Sequence, residues 1–377
     1  MWNLTRVRHF LRIPLFSIFI LVFATELLFV MIDRPKAIDG FNNRLVFYQS
    51  SKSQVVQDHG ECYTFKANST IKEQAIYNID GKVITEYNYR FLTNNLGLRM
   101  SAKQNDDMHN FENLAIGDSF TFGQGSTITW PDELNLSNHN SMTNFANGGI
   151  PGSGPQCWEW LLKHMRNEGF VPKNLIVGII YDDLFRGKLT FDLRSRNCLE
   201  NQALCEKSQI MQGFPKTSSE NLQKTYKSIF ERNSQRNPDE SSFSKIRFYT
   251  SQSLPGTATI YRLLRYGFDS NSSIQKLIQD NYVKNIQSID NIVSSVPLNN
   301  HLILLLPTKQ EVSENIYNPL LIKAKQQFES DNRKVFDCLR YCSLDSGDFF
   351  SHDSHMKESG HRKVANALES YFRGMNR

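Results

Sequence analysis

The chain has 377 residues, enough for one large catalytic core with added segments, because a single hydrophobic core usually stops growing near about 250–300 residues. Hydrophobic residues make up 40% and charged residues 21%, which is ordinary for a globular protein and argues against overall disorder. The formal net charge is +5 and no run of five or six basic residues occurs, so the chain is not expected to bind nucleic acid.

The N-terminal stretch Ile13–Ile32 is almost entirely apolar. At 1.5 Å per residue it covers about 30 Å, the thickness of a hydrocarbon core. Arg6, Arg8 and Arg12 precede it, so the positive-inside tendency keeps residues 1–12 cytoplasmic and exports the remainder. A cleaved signal peptide is the competing interpretation, but the apolar run is long and no small-residue cleavage site stands out. The prediction is therefore a single-pass transmembrane anchor at residues 13–32.

Residues 33–110 carry short apolar segments such as Leu45–Tyr48 and Tyr87–Leu92, separated by Asn and Gly. No helical period dominates this region. It is interpreted as a stalk followed by a small, partly β accessory region that packs against the next domain.

From residue 111 to residue 377, short apolar strands alternate with helical stretches, the pattern of a parallel sheet covered on both faces. The sequence therefore predicts a three-layer α/β/α domain around a central parallel sheet. The predicted strands are Leu114–Ile116, Thr143–Asn147, Asn174–Tyr181, His301–Leu306 and Val335–Cys338. The predicted helices are Pro155–Arg166, Ser273–Ser294 and Lys357–Phe372.

The stretch at about 184–251 is rich in Ser, Asn, Lys and Glu and interrupts this alternation as a polar insertion. An insertion after the carboxyl end of a strand often forms a lid or a recognition loop, since α/β sheets build their sites at that edge. A surface excursion without a catalytic role fits the composition equally well.

The chain has six cysteines, an even number compatible with an oxidising compartment. The close pairs Cys198/Cys205 and Cys338/Cys342 could each close a small loop as a disulfide, and buried free thiols are the alternative. A zinc site is disfavoured because no C-x-x-C pair and no His-x-x-x-His partner occurs at ligand spacing. No metal or cofactor is expected.

The segment Leu114–Gly123 places Ser119 in a small polar turn directly after a short apolar strand, where a helix would begin. Such a turn exposes a hydroxyl to a cleft and directs backbone N–H groups at the space above it, as an acyl-transfer nucleophile requires. By itself a Gly-Asp-Ser tripeptide is more often an ordinary helix N-cap.

Three sequence blocks, of which this segment is part of the first, give the chain a family resemblance. Gly117–Gly123 (GDSFTFG), followed by Thr129–Pro131 (TWP), resembles the first block of the SGNH (GDSL-like) hydrolase superfamily. Asn147–Gly152 (NGGIPG) resembles the second block, and Asp353–His355 (DSH) before a C-terminal helix resembles the last. The three blocks occur in the family's order over residues 111–377. The resemblance implies an SGNH/flavodoxin-like fold.

By resemblance, Ser119 is the nucleophile, His355 is its general base and Asp353 orients the imidazole and stabilises its charged form. His352 and His361 lie close by in the sequence. They are interpreted as solvent-facing or capping histidines, because His361 lies within the last predicted helix and His352 lacks the Asp-x-His spacing.

The resemblance also implies an oxyanion hole made by the backbone of Ser119, the backbone of Gly149 and a side chain after the third strand. In the family that side chain is usually Asn, whereas this chain has Asp182. An ionised carboxylate repels a developing oxyanion, and only the protonated form donates a hydrogen bond. The chain departs from the family pattern at this one position.

These observations predict a serine-dependent ester hydrolase or O-acyl transferase, most simply for acetyl groups, which needs no cofactor. Similar anchored proteins imply an extracytoplasmic glycan as substrate, the outer (periplasmic) side of the membrane as location, and polysaccharide-assembly proteins as partners. The alternative is a carbohydrate-binding or assembly protein that has kept the fold and lost full activity, which Asp182 favours. A lipase is less well supported, because the 184–251 insertion is too polar for a lipid-facing lid.

Overall fold

The computed structural model describes residues 44–100, 111–136, 144–187, 193–202, 205, 210–215, 219–235 and 273–375. The predicted cytoplasmic segment, the anchor at 13–32 and much of the polar insertion lie outside these residues. Within the described ranges, no helix is both long and apolar enough to cross a membrane. The chain divides into two units, Met1–Asp39 with Ser234–Leu277, and Gly40–Asn233 with Ile278–Arg377, of which the second contains the predicted site residues.

The second unit is built on a mixed sheet of ten strands in the order β10-β1-β4-β5-β6-β8-β7-β9-β11-β12, beside a small β2-β3 hairpin. The strands are β1 (Arg44–Ser50), β2 (Val56–Asp58), β3 (Tyr63–Phe65), β4 (Thr70–Ile79), β5 (Lys82–Thr93), β6 (Arg99–Met100), β7 (Asn113–Gly117), β8 (Phe145–Gly149), β9 (Asn174–Ile179), β10 (Ile210–Gln212), β11 (His301–Leu305) and β12 (Val335–Asp337).

One half of the sheet is parallel and consists of β8, β7, β9, β11 and β12. Numbered among themselves in chain order, these strands lie in the order 2-1-3-4-5, the flavodoxin-like arrangement. All five strands predicted after residue 111 are confirmed. The second was predicted two residues too early, because Asn144 lies in the left-handed region at φ 64° and strand β8 begins after it.

The other half of the sheet comes mainly from residues 44–100 and is antiparallel except at its edge, where β10 pairs parallel with β1. Strands β1, β4 and β5 pair antiparallel, and β6 joins them to β8 through a single pair, Arg99 with Asn147. The prediction of a parallel central sheet is therefore correct for one half only. The N-terminal strands extend the same sheet, which makes the whole sheet mixed.

Helices cover both faces of the parallel half, because alternate residues of each strand point to opposite sides. Leu114, Ile116 and Val177 pack in one apolar cluster and Ala115 and Ile176 in another. The helices are α1 (Ser119–Phe122), α2 (Trp130–Leu136), α3 (Pro155–Asn167), α4 (Leu193–Glu200), α5 (Ser219–Gln235), α6 (Ser273–Val293), α7 (Lys309–Glu314), α8 (Pro319–Ser330), α9 (Cys338–Tyr341) and α10 (Glu358–Met375). The three predicted helices correspond to α3, α6 and α10.

All six cysteines form disulfides. Cys198–Cys205 and Cys338–Cys342 close short loops, as the sequence spacing suggested. The third, Cys62–Cys157, joins the start of the hairpin region to helix α3 across 95 residues. This bond ties the N-terminal strands covalently to a helix of the parallel half.

Candidate active site

The site lies at the carboxyl ends of the parallel strands. Strand β7 ends at Gly117 and Ser119 opens helix α1, with the side chain of Asp118 capping the helix by accepting from the N–H of Phe120 at 2.8 Å. Strand β9 pairs beside β7 and leads into a 3-10 turn at Tyr181–Leu184. The order 2-1-3-4-5 reverses between these two strands, and ligands of open α/β sheets bind at that crevice.

Ser119, His355 and Asp353 meet at this edge in the arrangement of a catalytic triad. The Nε2 atom of His355 lies 2.7 Å from the Oγ atom of Ser119, and Nδ1 contacts Oδ1 of Asp353. The backbone N–H of His355 also donates to Asp353 Oδ1 at 3.1 Å. A neutral imidazole with its proton on Nδ1 can then accept the hydroxyl proton at Nε2, so Ser119 is set up to act as a nucleophile.

A short loop brings Asp353 and His355 over the end of strand β7. Phe349 and Met356 form an isolated antiparallel bridge, and the N–H of Phe350 donates to the carbonyl of His355 at 3.0 Å. The bridge closes the loop immediately before helix α10 begins, so two residues far from Ser119 in sequence reach its side chain.

Residues from the N-terminal strands hold the second oxygen of Asp353. The Tyr77 hydroxyl donates to Asp353 Oδ2 at 2.9 Å, and Arg44 Nη2 lies 3.1 Å from the same oxygen. Burial opposes ionisation of Asp353, but the positive charge of Arg44 and the charge and hydrogen bonds of His355 outweigh it and hold the pKa well below its usual range. Asp353 is therefore an anion at any pH near neutrality.

A charged cluster surrounds the N-cap of the nucleophile helix. Arg186 Nη1 lies 2.9 Å from Asp118 Oδ2 and 3.0 Å from Asp183 Oδ1. Asp118 Oδ2 is also 3.4 Å from the Ser119 hydroxyl. Burial and the nearby charge of Asp118 raise the pKa of Asp183 well above its ordinary value, against the lowering effect of Arg186. The guanidinium thus links the turn after β9 to the residue that caps helix α1.

The structure gives Gly149 a packing role. A Cβ atom at this position would lie 2.1 Å from the backbone nitrogen of Phe122, so only glycine lets strand β8 contact helix α1 this closely. The N–H of Gly149 donates to Asn147 Oδ1 at 3.0 Å. In this conformation the predicted oxyanion donor is engaged by a side chain, and its role in catalysis stays a prediction.

Asp182 lies in the 3-10 turn after strand β9, with its side chain 36% exposed. Its Oδ2 atom is 3.4 Å from Arg186 Nη2. No described hydrogen bond joins Asp182 to Ser119, Gly149 or His355. The N–H of Ser119 belongs to the first turn of helix α1, where backbone donors lack an intrahelical acceptor. The contribution of Asp182 to an oxyanion hole likewise stays a prediction.

The interpretation of His361 as a solvent-facing or capping residue is wrong. His361 is buried within helix α10, and neither of its ring nitrogens has a hydrogen-bond partner. Burial, with the positive charges of Arg99 and His355, lowers its pKa to about 3, so the ring is neutral. His352 is partly buried, packs near the ring of Tyr77, and donates its N–H to Glu86 at 3.0 Å.

Sequence reasoning missed the basic residues that support the site. Arg186 follows the Asp182-Asp183 pair by three and four residues, a spacing that brings side chains together on one turn, so this contact had a local signal. Arg44 and Tyr77 had none, because they reach Asp353 from strands about 300 residues away in sequence. Within the described residues, no group of three or more His, Cys, Asp or Glu side chains is placed to hold a metal ion.

Strand order, helix coverage and the Ser119–His355–Asp353 contacts define an SGNH-like fold with a serine-hydrolase triad. No protein family matches the chain by sequence, and no curated protein matches it. Two solved structures are similar over 70% of the chain: a lipase/acylhydrolase from Enterococcus faecalis, at 10% identity and 97% of its length, and a member of the lipolytic G-D-S-L family from Veillonella parvula, at 13% identity and 98%. Both TM-scores are 0.34, too low to add to the assignment, which rests on the geometry.

Proposed function

We propose that the protein is a serine-dependent ester hydrolase or O-acyl transferase that acts on a small acyl group, such as acetyl, of an extracytoplasmic glycan. The observation that carries the proposal is the continuous contact from Ser119 Oγ through the His355 ring to Asp353. In this mechanism His355 removes the proton of Ser119 as the hydroxyl attacks the ester carbonyl, then returns that proton to the leaving alcohol. Water or an acceptor alcohol releases the acyl group in the second half.

The burial of the triad supports a small acyl group. Ser119 is 6% exposed and His355 8%, so only a small part of either residue is open to a substrate. A two-carbon acyl chain needs little room beside the nucleophile, whereas a long lipid chain needs an extended apolar groove. The glycan is proposed by resemblance to membrane-anchored members of the superfamily.

The disulfides support an extracytoplasmic location. Three disulfides that use all six cysteines are typical of proteins that fold in an oxidising compartment. We place the catalytic unit on the outer (periplasmic) side of the cytoplasmic membrane, held there by the predicted anchor at residues 13–32. Reporter fusion after Arg377 tests this: export of the reporter and retention of the protein in washed membranes are expected, and a soluble cytoplasmic full-length protein contradicts the proposal.

The experiment that tests the activity is labelling with a fluorophosphonate, which reacts with activated serines. Wild type should be labelled and the Ser119→Ala variant should not, with Ser370→Ala on the outer face of helix α10 as the matched control. A screen of acetylated sugars, short-chain aryl esters and long-chain lipids then defines the substrate. Labelling of Ser119→Ala as strong as that of wild type contradicts the proposal.

A second candidate is a carbohydrate-binding or polysaccharide-assembly protein with little activity. Two features favour it: Asp182 stands where the superfamily has an amide donor, and the N–H of Gly149 is engaged by Asn147. On this alternative the wild-type protein binds acetylated glycans, does not react with the probe, and binds equally well after Ser119→Ala.

A further inference from the structure

The N-terminal strands contact Asp353 of the triad directly. Arg44 lies at the first position of strand β1 and Tyr77 lies in strand β4, which pairs antiparallel with β1. Their registered partners are each other, Arg44 opposite Tyr77. The sheet therefore presents a guanidinium and a hydroxyl side by side, and both contact Asp353 Oδ2, at 3.1 Å and 2.9 Å.

The same contacts continue as a buried polar chain toward the nucleophile. Arg44 Nη2 donates to the Tyr87 hydroxyl at 2.8 Å, and Tyr87 donates to Glu73 Oε1 at 3.3 Å. Gln124 Nε2 donates to the same oxygen of Glu73 at 2.7 Å. Gln124 lies two residues after helix α1. The chain of bonds that begins at Asp353 therefore ends at the segment that carries Ser119.

A second arginine fixes that segment from the N-terminal half of the sheet. Arg99 in strand β6 is buried and donates Nη1 to the carbonyls of Phe122 and Gly123, both at 2.8 Å. It therefore caps the carboxyl end of helix α1, where its positive charge interacts favourably with the partial negative charge of the unpaired carbonyls. Both ends of the triad are thus attached to strands that lie before the predicted hydrolase domain.

We propose that Arg44 and Tyr77 are positioning residues of the triad, which hold Asp353 Oδ2 so that Oδ1 faces His355, and that the N-terminal strands are part of the catalytic unit. A carboxylate held at one oxygen by two donors has one rotamer, so the imidazole is oriented before substrate arrives. Only the kinetic predictions of this inference rest on the proposed function, because the contacts to Asp353 are independent of it.

The positive charge of Arg44 also acts electrostatically on the Asp353–His355 pair, which an uncharged packing contact would not do. Arg44 opposes the attraction between Asp353 and a protonated His355, so its loss favours the imidazolium. The other titratable groups that face the pair are Tyr77, Tyr87 and the neutral His361. Arg44→Met should therefore move the acid limb of kcat/KM against pH to higher pH.

The experiment compares Arg44→Met, Arg44→Lys and Tyr77→Phe with wild type, and uses Arg196→Met as the matched control. Arg196, in helix α4, also forms an ion pair with an N-terminal strand, at 2.9 Å from Asp58. Its side chain is 17% exposed, against 21% for Arg44. We expect Arg44→Met to lower kcat on the order of 10–10²-fold with little change in KM. Arg44→Lys should keep the acid limb at its wild-type pH, and Arg196→Met should behave as wild type.

Proton NMR of the His355 Nδ1–H resonance, identified by its loss in His355→Gln, separates this inference from the proposed function because it reports the bond to Asp353 and needs no substrate. A changed chemical shift in Arg44→Met and an unchanged one in Arg44→Lys support the positioning role. An unchanged resonance in Arg44→Met overturns it, even if the protein is active. If Arg44→Met does not fold, Tyr77→Phe decides: a lowered kcat supports the positioning role, and wild-type kcat overturns it.

Discussion

Gly149 and Phe122 meet backbone to backbone, and a methyl group on Gly149 would lie 2.1 Å from the Phe122 nitrogen. The contact seats helix α1 directly on strand β8, so the height of the nucleophile above the sheet depends on the absence of one side chain. A glycine that resembles a family motif thus has a physical reason of its own in this chain.

Gly149→Ala should displace helix α1 and with it the Ser119 hydroxyl. Overpacking of this kind typically costs about 1–3 kcal/mol in the free energy of unfolding, which a domain of this size survives. The rate of probe labelling should fall strongly even though the protein stays folded, because a displacement near 1 Å can cost about a hundredfold in rate. Gly187→Ala is the control, since a Cβ atom there meets nothing within 4 Å. Wild-type labelling of a folded Gly149→Ala protein would contradict the packing argument.

Asp353→Asn should leave the fold intact and lower kcat by about 10³–10⁴-fold, because the amide favours the wrong imidazole tautomer and cannot stabilise the imidazolium. Stopped-flow or steady-state ester hydrolysis measures the change, with circular dichroism as the check on folding. The exposed Asp345→Asn serves as control. A loss below about tenfold would mean that His355 is oriented by other groups.

Asp182 and Asp183 are neighbours in sequence, but amide substitution should affect turnover at Asp182 and stability at Asp183. Asp182→Asn should raise turnover on a neutral ester, because an amide donates to the oxyanion where a carboxylate repels it. Since a full oxyanion donor is worth on the order of 10²–10³, even a fraction is measurable. Asp183→Asn should destabilise the fold by about 1–3 kcal/mol, because Asp183 is buried and binds Arg186 and the N–H of Ile180. Reduced turnover in Asp182→Asn would instead assign Asp182 a role with substrate.

Glu73 should make stability depend on pH. Burial raises its pKa, so the native state keeps this proton to a higher pH than the unfolded chain, whose glutamates ionise near about 4.3. In that window the native state binds more protons, and the free energy of unfolding therefore falls as pH rises through the folded pKa. Glu73→Gln cannot ionise and removes this loss.

Calorimetry across about pH 4.5 to 8 checks the sign for Glu73. The Tm of Glu73→Gln relative to wild type should increase with pH up to the folded pKa of Glu73 and stay constant above it. The exposed Glu168→Gln gives the baseline for a carboxylate without these contacts. Parallel Tm curves for Glu73→Gln and wild type would show that Glu73 is ionised throughout.

The parallel half of the fold and the triad were predictable because their signals are local. Each parallel strand is a short apolar run followed by a turn, and Ser119, Asp353 and His355 lie in compact motifs. The antiparallel half was predicted only as a small β region. Strand β4 buries Glu73 and Gln74 together with its apolar residues, which hides its alternation. Strand β6 joins the two halves through one residue pair. No periodicity encodes such a pairing.

Predicting that His361 faces solvent failed for a related reason. Its neighbours in helix α10, Val364 and Leu368, show the buried face clearly, and His361 lies three residues before Val364 on that same face. The helical spacing therefore contained the signal, but the prediction used only the position of His361 within the helix and not the face on which it lies. Burial without a hydrogen-bond partner is costly for an imidazole, and no contact in the described residues explains it.

The hydrogen bond between Tyr77 and Asp353 joins residues 276 positions apart, and it links Asp353 to a strand that is synthesised early. Closing a loop of that length carries an entropic cost that local helices and hairpins do not have, so such contacts form slowly. During refolding, far-UV circular dichroism should recover before Ser119 becomes reactive toward a fluorophosphonate. The protein would then remain unreactive toward esters until the sheet has joined its two halves, so activity and complete folding would appear together.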